Sequence, residues 1–249
     1  MIDPIEQFDI EKIFTIGHIG NQEIAFTNSS AYMFGSVALI SLLMIGGVAG
    51  RQLVPGRIQS MAEITYEFAA STIRNVSGSD GMKFFPLVFS LFMFIMVSNM
   101  IGIIPYAFTV SSHIIVTASL ALLVWITVLV YGFYKNGLKF FKIFVPSGIP
   151  IFILPLVVFI EVFSFFLRPI SHSVRLFANM LAGHIALKVF ASFIPLLAGL
   201  GIAGFAGAVL PLGMVIALTA LELLVAFLQA YVFTILTCIY LNDALHAGH

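Results

Sequence analysis

Between Ala31 and Gly50 the sequence reads AYMFGSVALISLLMIGGVAG, a run without one charged residue. About 20 apolar residues in an α-helix span the roughly 30 Å hydrocarbon core of a bilayer. Uncharged runs of this kind recur at 84–104 and 114–134, and two longer apolar stretches follow at 149–194 and 208–242. Only 9% of the chain is charged and 61% is hydrophobic, against about 25% charged in a soluble domain. The expected fold is therefore all-α and polytopic, about five membrane helices plus one amphipathic surface helix, forming a single membrane domain over 1–249.

Charge fixes an expected orientation. Asp3, Glu6, Asp9, Glu11 and Glu23 precede the first span with a single Lys12, whereas Arg51 and Arg57 follow it. The positive-inside rule then places the N-terminal segment 1–30 in the periplasm. The linker PYAFTVSSH carries no Lys or Arg, and the loop after the third span carries Lys135, Lys139 and Lys142, so the alternation is consistent, with the C-terminus cytoplasmic. The acidic first thirty residues lack both the basic and the apolar parts of a signal peptide, so the first span at 31–50 is expected to direct insertion. Residues 55–77 open with Pro55 and repeat Ile58, Met61, Phe68, Ala69, Ile73 and Val76 at helical spacing. They read as an amphipathic cytoplasmic helix, lying on the membrane or packed under the bundle.

Net charge is zero, which gives no electrostatic basis for binding nucleic acid. Cys238 is the sole cysteine, so no internal disulfide or cysteine-only metal site can form, and its apolar setting reads as a small buried hydrophobe. GLGIAG lies between membrane segments, not between a strand and a soluble helix, and no HExxH or GxSxG occurs. No catalytic residue, metal site or cofactor is expected. His18, His113, His246 and His249 fall near span ends or outside them and read as solvated.

The last two stretches differ from the others because ionisable residues interrupt them. Glu161, Arg168, Arg175 and Lys188 fall in the first, Glu222 and Gln229 in the second. As continuous helices they would extend about 69 and 52 Å, so they are either broken, with Pro155 and Pro169 as kink points, or strongly inclined. AGLGIAGFAG, residues 198–207, suits an outer turn between them. In an antiparallel hairpin about that turn His184 comes level with Glu222, and Arg175 level with Gln229, to within about one helical turn. On an ideal helix Glu161, Arg168, Ser171, Arg175 and Asn179 make one polar stripe within about 40° of Arg175, whereas His184 lies about 180° away. Either Gly183 marks a distortion or His184 and Lys188 form a second polar face.

Structural readings exist for these residues. Arg168 and Lys188 suit pairing or snorkelling, and Ser171, Asn179 and Gln229 suit hydrogen bonding between helices. A charge at the bilayer centre costs about 2.5 to 3.5 kcal/mol on insertion scales, so Glu161, Arg175, His184 and Glu222 point to an ion or proton path. A self-contained ion-coupled transporter is the alternative, although neither paired repeats nor two discontinuous helices are seen. A haem site on His172 and His184 is disfavoured, because the two lie about 120° apart on one helix.

The sequences RLFANMLAGH, residues 175–184, and ELLVAFLQAYVFTILTCIYL, residues 222–241, resemble subunit a of the F-type ATP synthase, and the likeness covers most of the chain. The acid and imidazole stand as in mitochondrial and alphaproteobacterial members, since many other bacterial members exchange the residues at 184 and 222. The resemblance implies a non-catalytic proton-channel subunit of the bacterial inner membrane, with the mitochondrial inner membrane the alternative. Its implied partners are the c-subunit ring, the b and b′ stalk subunits, the rest of the complex, lipid, and H⁺ as the transported ion. It implies that Arg175 faces the ring carboxylate with Asn179 and Gln229 beside it. His184 and Glu222 would line the periplasmic half-channel, Glu161 and Ser171 the cytoplasmic one. It also implies that the two long helices form a steeply inclined antiparallel hairpin.

Overall fold

Apolar runs bounded by Gly, Pro and polar residues become helices because a helix satisfies its own backbone groups without water. The computed structural model describes residues 8–19, 22–49, 52–104, 107–145, 150 and 152–245. Asp3, Glu6, Arg51, Ile149, His246 and His249, on which the sequence reading drew, lie outside these. The described helices are α1 (Asn28–Ala49), α2 (Arg57–Ser77), α3 (Phe85–Gly102), α4 (Ile114–Asn136), α5 (Leu154–Ala198) and α6 (Ile202–Leu245). All but α2 are long and apolar enough to cross a membrane.

Ahead of α1 stands an antiparallel hairpin of β1 (Lys12–Ile19) and β2 (Gln22–Thr27), an element that a search for apolar runs does not contain. Phe14 opposes Phe26 with the rings stacked at 5.0 Å. Lys12 donates to Glu23 at 2.7 Å, and that hydrogen bond, with the ammonium charge, holds the Glu23 carboxyl below its ordinary range.

The chain's contacts gather into two units. The first takes the chain up to Leu42, then Phe94–His113 and Leu176–Ala230. Within it, Leu176–Ala198 of α5 and the start of α6 form an antiparallel hairpin. Gly201 takes φ +88°, a left-handed conformation that an L side chain rarely adopts, and this reverses the chain. Only residues 199–201 separate the two helices, so the turn is narrower than the glycine-rich stretch suggests. Gly204 already belongs to α6, where its bare Cα lies against the Leu197 carbonyl.

The second unit takes Leu43–Met93, Ile114–Arg175 and the chain from Tyr231. Helix α2 packs into it through Ala62, Ala69, Ala70 and Thr72, small side chains that allow close approach, and through the buried Ile73. Phe68 meets the rings of Phe92 and Tyr231, each at 5.4 Å. The Ser77 hydroxyl donates to the Cys238 carbonyl at 2.9 Å, and the Cys238 side chain is itself buried. Of the expected stripe, Ala69 and Ile73 are buried and Phe68 packs on its neighbours, whereas Ile58 and Met61 are exposed and Ala62 and Ala70 are buried in addition. Lys135 and Asn136 donate to the carbonyls of Leu245 and Ala244 at 3.0 and 2.7 Å. They satisfy carbonyls that the last turn of α6 leaves without a helical partner.

Helices α5 and α6 run unbroken for 45 and 44 residues, with Pro169 inside α5 and Pro211 inside α6. Of the two alternatives open from sequence, broken or strongly inclined, the break does not occur. At 1.5 Å per residue they extend about 68 and 66 Å, more than twice the hydrocarbon thickness.

Candidate functional site

His184 and Glu222 meet in the first unit. Both are 6% exposed, and His184 Nδ1 lies 3.2 Å from Glu222 Oε1. The approach is an ion-pair distance without hydrogen-bond alignment, and neither Glu222 oxygen has a hydrogen-bond partner among the described residues. Gly183 makes room for the acid: a Cβ there would stand 2.7 Å from Glu222 Oε1. Glu222 is thus seated against α5 backbone beside the imidazole it faces. Gly183→Ala is expected to fold, because the obstructing atom ends a flexible side chain. It should turn the carboxylate away from His184 and leave the thermal stability of the detergent-solubilised protein near that of the wild type, as circular dichroism would read.

The other ring nitrogen of His184 lies 3.0 Å from Thr109 Oγ1. Thr109 belongs to the segment between α3 and α4, whose lack of charge had marked it only as a loop. There Ser112 donates to the Thr109 carbonyl at 2.6 Å and Ser111 to Asn99 Oδ1 at 2.6 Å, while Asn99 donates to the Ala226 carbonyl at 3.4 Å. These are buried polar residues that the search for ionisable groups missed. Phe8 covers the site, its ring 6.1 Å from the His184 ring and 5.5 Å from Lys188 Nζ. His184 and Lys188 therefore share a second polar face, on a helix that runs through Gly183 without interruption. His113 corrects another expectation: it is not simply solvated but stacks on Phe108 at 4.9 Å, and burial lowers its pKa.

A second polar cluster lies within the other unit. Arg168 donates to Asp243 at 2.9 Å, lies 3.7 Å from Glu161, and sits 4.8 Å from the centre of the Tyr240 ring. Arg168 is therefore paired, as its structural reading holds, and its nearer carboxylate is Asp243. Asp243 escaped the sequence search because it stands one residue beyond the second long apolar stretch. Ser171 is exposed and donates to carbonyls of its own helix, those of Leu167 and Arg168, at 3.0 and 3.1 Å. His172 is buried with its ring centre 3.8 Å from that of Phe233, and neither ring nitrogen has a hydrogen-bond partner among the described residues.

Arg175 is exposed on α5 and takes no ion pair among the described residues. The one carboxylate of its stripe, Glu161, lies by Arg168 instead. Asn179 is also exposed, whereas Gln229 is buried. A guanidinium held in an apolar helix without an internal partner is suited to meet an anionic group from outside the chain. Among the described residues no three His, Cys, Asp or Glu gather as metal ligands would.

The family model described as ATP synthase A chain matches residues 30–242. A relative named ATP synthase subunit a from Rhodopseudomonas palustris strain BisB18 is 86% identical over 249 residues, the whole of both chains. Proteins of the same name from R. palustris strain TIE-1 and from Nitrobacter winogradskyi are 76% and 75% identical, over 99% and 100% of each chain.

Proposed function

Because this chain belongs to the ATP synthase A chain family, it is a multi-pass membrane component of ATP synthase, and we propose that it conducts protons through two half-channels offset across the membrane. His184 and Glu222 form the periplasmic one, with the N-terminal segment on that side. Glu161 and Ser171 open the cytoplasmic one. Arg175, with Asn179 and Gln229, separates them and faces the carboxylates of a ring of c subunits. The chain has no catalytic centre of its own, and the b and b′ stalk subunits hold it against the ring. The single observation that best supports the reading is the buried contact of His184 with Glu222. An imidazole, whose unperturbed pKa is about 6.5, and a carboxyl in contact can pass a proton between them.

The mechanism follows from the cost of charge in lipid. A ring carboxylate facing hydrocarbon must be neutral, since an ionised one is strongly disfavoured there. Beside a fixed guanidinium the ionised form is favoured. Each arriving carboxyl releases its proton to one half-channel near Arg175 and returns to lipid only after reprotonation from the other. Arg175 also repels protons that would cross directly. The membrane potential contributes about 2.3 kcal/mol per charge per 100 mV. A strong inclination of α5 and α6 suits this task, because it lets both helices run alongside the ring within the membrane's thickness.

Flux through the membrane sector tests the reading. Liposomes holding this chain, the stalk subunits and the ring, driven by a potassium diffusion potential, should take up protons, and liposomes holding the ring alone should not. Equal uptake in both would place the conduction path outside this chain.

A further inference from the structure

The geometry points to Thr109 as a positioning residue for proton transfer between His184 and Glu222, an inference that rests on the proposed function. Thr109 is fully buried, with its Oγ1 3.0 Å from His184 Nε2 and 3.5 Å from the Gly102 carbonyl oxygen. A carbonyl can only accept, so when the hydroxyl donates to Gly102 its oxygen remains free to accept from His184 Nε2–H. That hydrogen bond selects the tautomer whose proton sits on Nε2. Nδ1 is then left without a proton, 3.2 Å from Glu222 Oε1, so a small rotation of the carboxyl completes the hydrogen bond along which a proton passes.

In this tautomer Nδ1 takes the proton of a neutral Glu222 carboxyl. The O–H bond breaks, the N–H bond forms, and the neutral pair becomes an imidazolium and a carboxylate. The reverse transfer restores both. Thr109 keeps its own proton throughout; it holds the ring nitrogen ready and accepts the hydrogen bond of the imidazolium, which is stronger than that of the neutral ring.

Three observations set Thr109 apart from a chance neighbour. Its carbonyl is held by Ser112 at 2.6 Å, and Ser111 is held in turn by Asn99, so the segment presents the hydroxyl from a braced backbone. Gly102 leaves space for it, since a Cβ there would meet Thr109 Cγ2 at 2.8 Å and Oγ1 at 3.0 Å. The remaining groups around His184 leave this role unfilled: α6 brings Glu222, its own helix brings Lys188, and Phe8 brings only a ring.

The test uses the assembled complex in inverted vesicles, with assembly matched by immunoblot and proton pumping followed across a range of pH. Thr109→Val keeps the shape and removes the hydroxyl, and it should lower pumping by about tenfold and displace the pH profile. Thr109→Ser should stay within about twofold of wild type on the wild-type profile. Gly102→Ala, which pushes the hydroxyl aside without removing it, should resemble Thr109→Val.

Wild-type pumping and profile in Thr109→Val would overturn the inference. So would a Thr109→Ser variant as impaired as Thr109→Val, because the methyl group would then carry the effect. His184→Ala and Glu222→Gln run beside these separate the two levels. If they lose pumping while Thr109→Val does not, this inference alone fails; if they also pump normally, the proposed function fails and this inference with it.

Discussion

Inverted vesicles carrying Arg175→Ala are expected to show no ATP-driven acidification while the assembled complex remains at wild-type level. Arg175 is exposed and takes no ion pair within the chain among the described residues, so its removal leaves no internal carboxylate unpaired. Folding should therefore be spared, and the loss should appear in function alone. Without the guanidinium nothing favours the ionised ring carboxyl at the junction, and nothing opposes a proton passing straight between the half-channels. Arg175→Lys is expected to fail as well. A lysine in an apolar setting can deprotonate and lacks the planar fork of arginine, so the fixed charge is lost when it is most needed. Pumping by Arg175→Ala near the wild-type rate would make the residue structural.

The second large effect is expected at Glu222. Glu222→Gln keeps size and polarity but cannot exchange a proton, and general acid–base steps contribute about 100-fold or more. Pumping should fall by at least about that factor at matched assembly. The double variant His184→Glu with Glu222→His keeps one acid and one imidazole in the same buried contact. It should pump better than either single variant, since each single change leaves two like groups where a donor and an acceptor are required. Equal or greater loss in the double variant would show that the identity of each position matters beyond that pairing.

Much of this architecture is legible in the chain because its strongest signals are one-dimensional. Uncharged runs mark α1, α3 and α4, and the ionisable residues in an apolar background mark Glu161, Arg175, His184 and Glu222. The level of His184 with Glu222 follows from their nearly equal distances to Gly201 and its neighbours, and the 3.2 Å contact agrees with it. What could not be read depends on which atoms meet in space. Whether α5 is broken at Pro169 turns on local backbone geometry that a proline permits without dictating. Thr109, Ser111 and Asn99 are short neutral residues whose importance arises only from burial against one another. On α2 the expected Ala69 and Ile73 are buried, but so are Ala62 and Ala70, which hydrophobic scales weigh below the exposed Ile58 and Met61. Asp243 needed the pairing of α5 with the far end of α6, where it meets Arg168 at 2.9 Å.

Side-specific labelling tests the two offset half-channels most directly. In a Cys238→Ser background, Glu222→Cys and Glu161→Cys are exposed in turn to a membrane-impermeant thiol-reactive electrophile from each face of sealed vesicles of known orientation. The account predicts that the thiol at 222 reacts only from the periplasmic face and the thiol at 161 only from the cytoplasmic face. Reaction of both from the same face, or of neither from any, would contradict it.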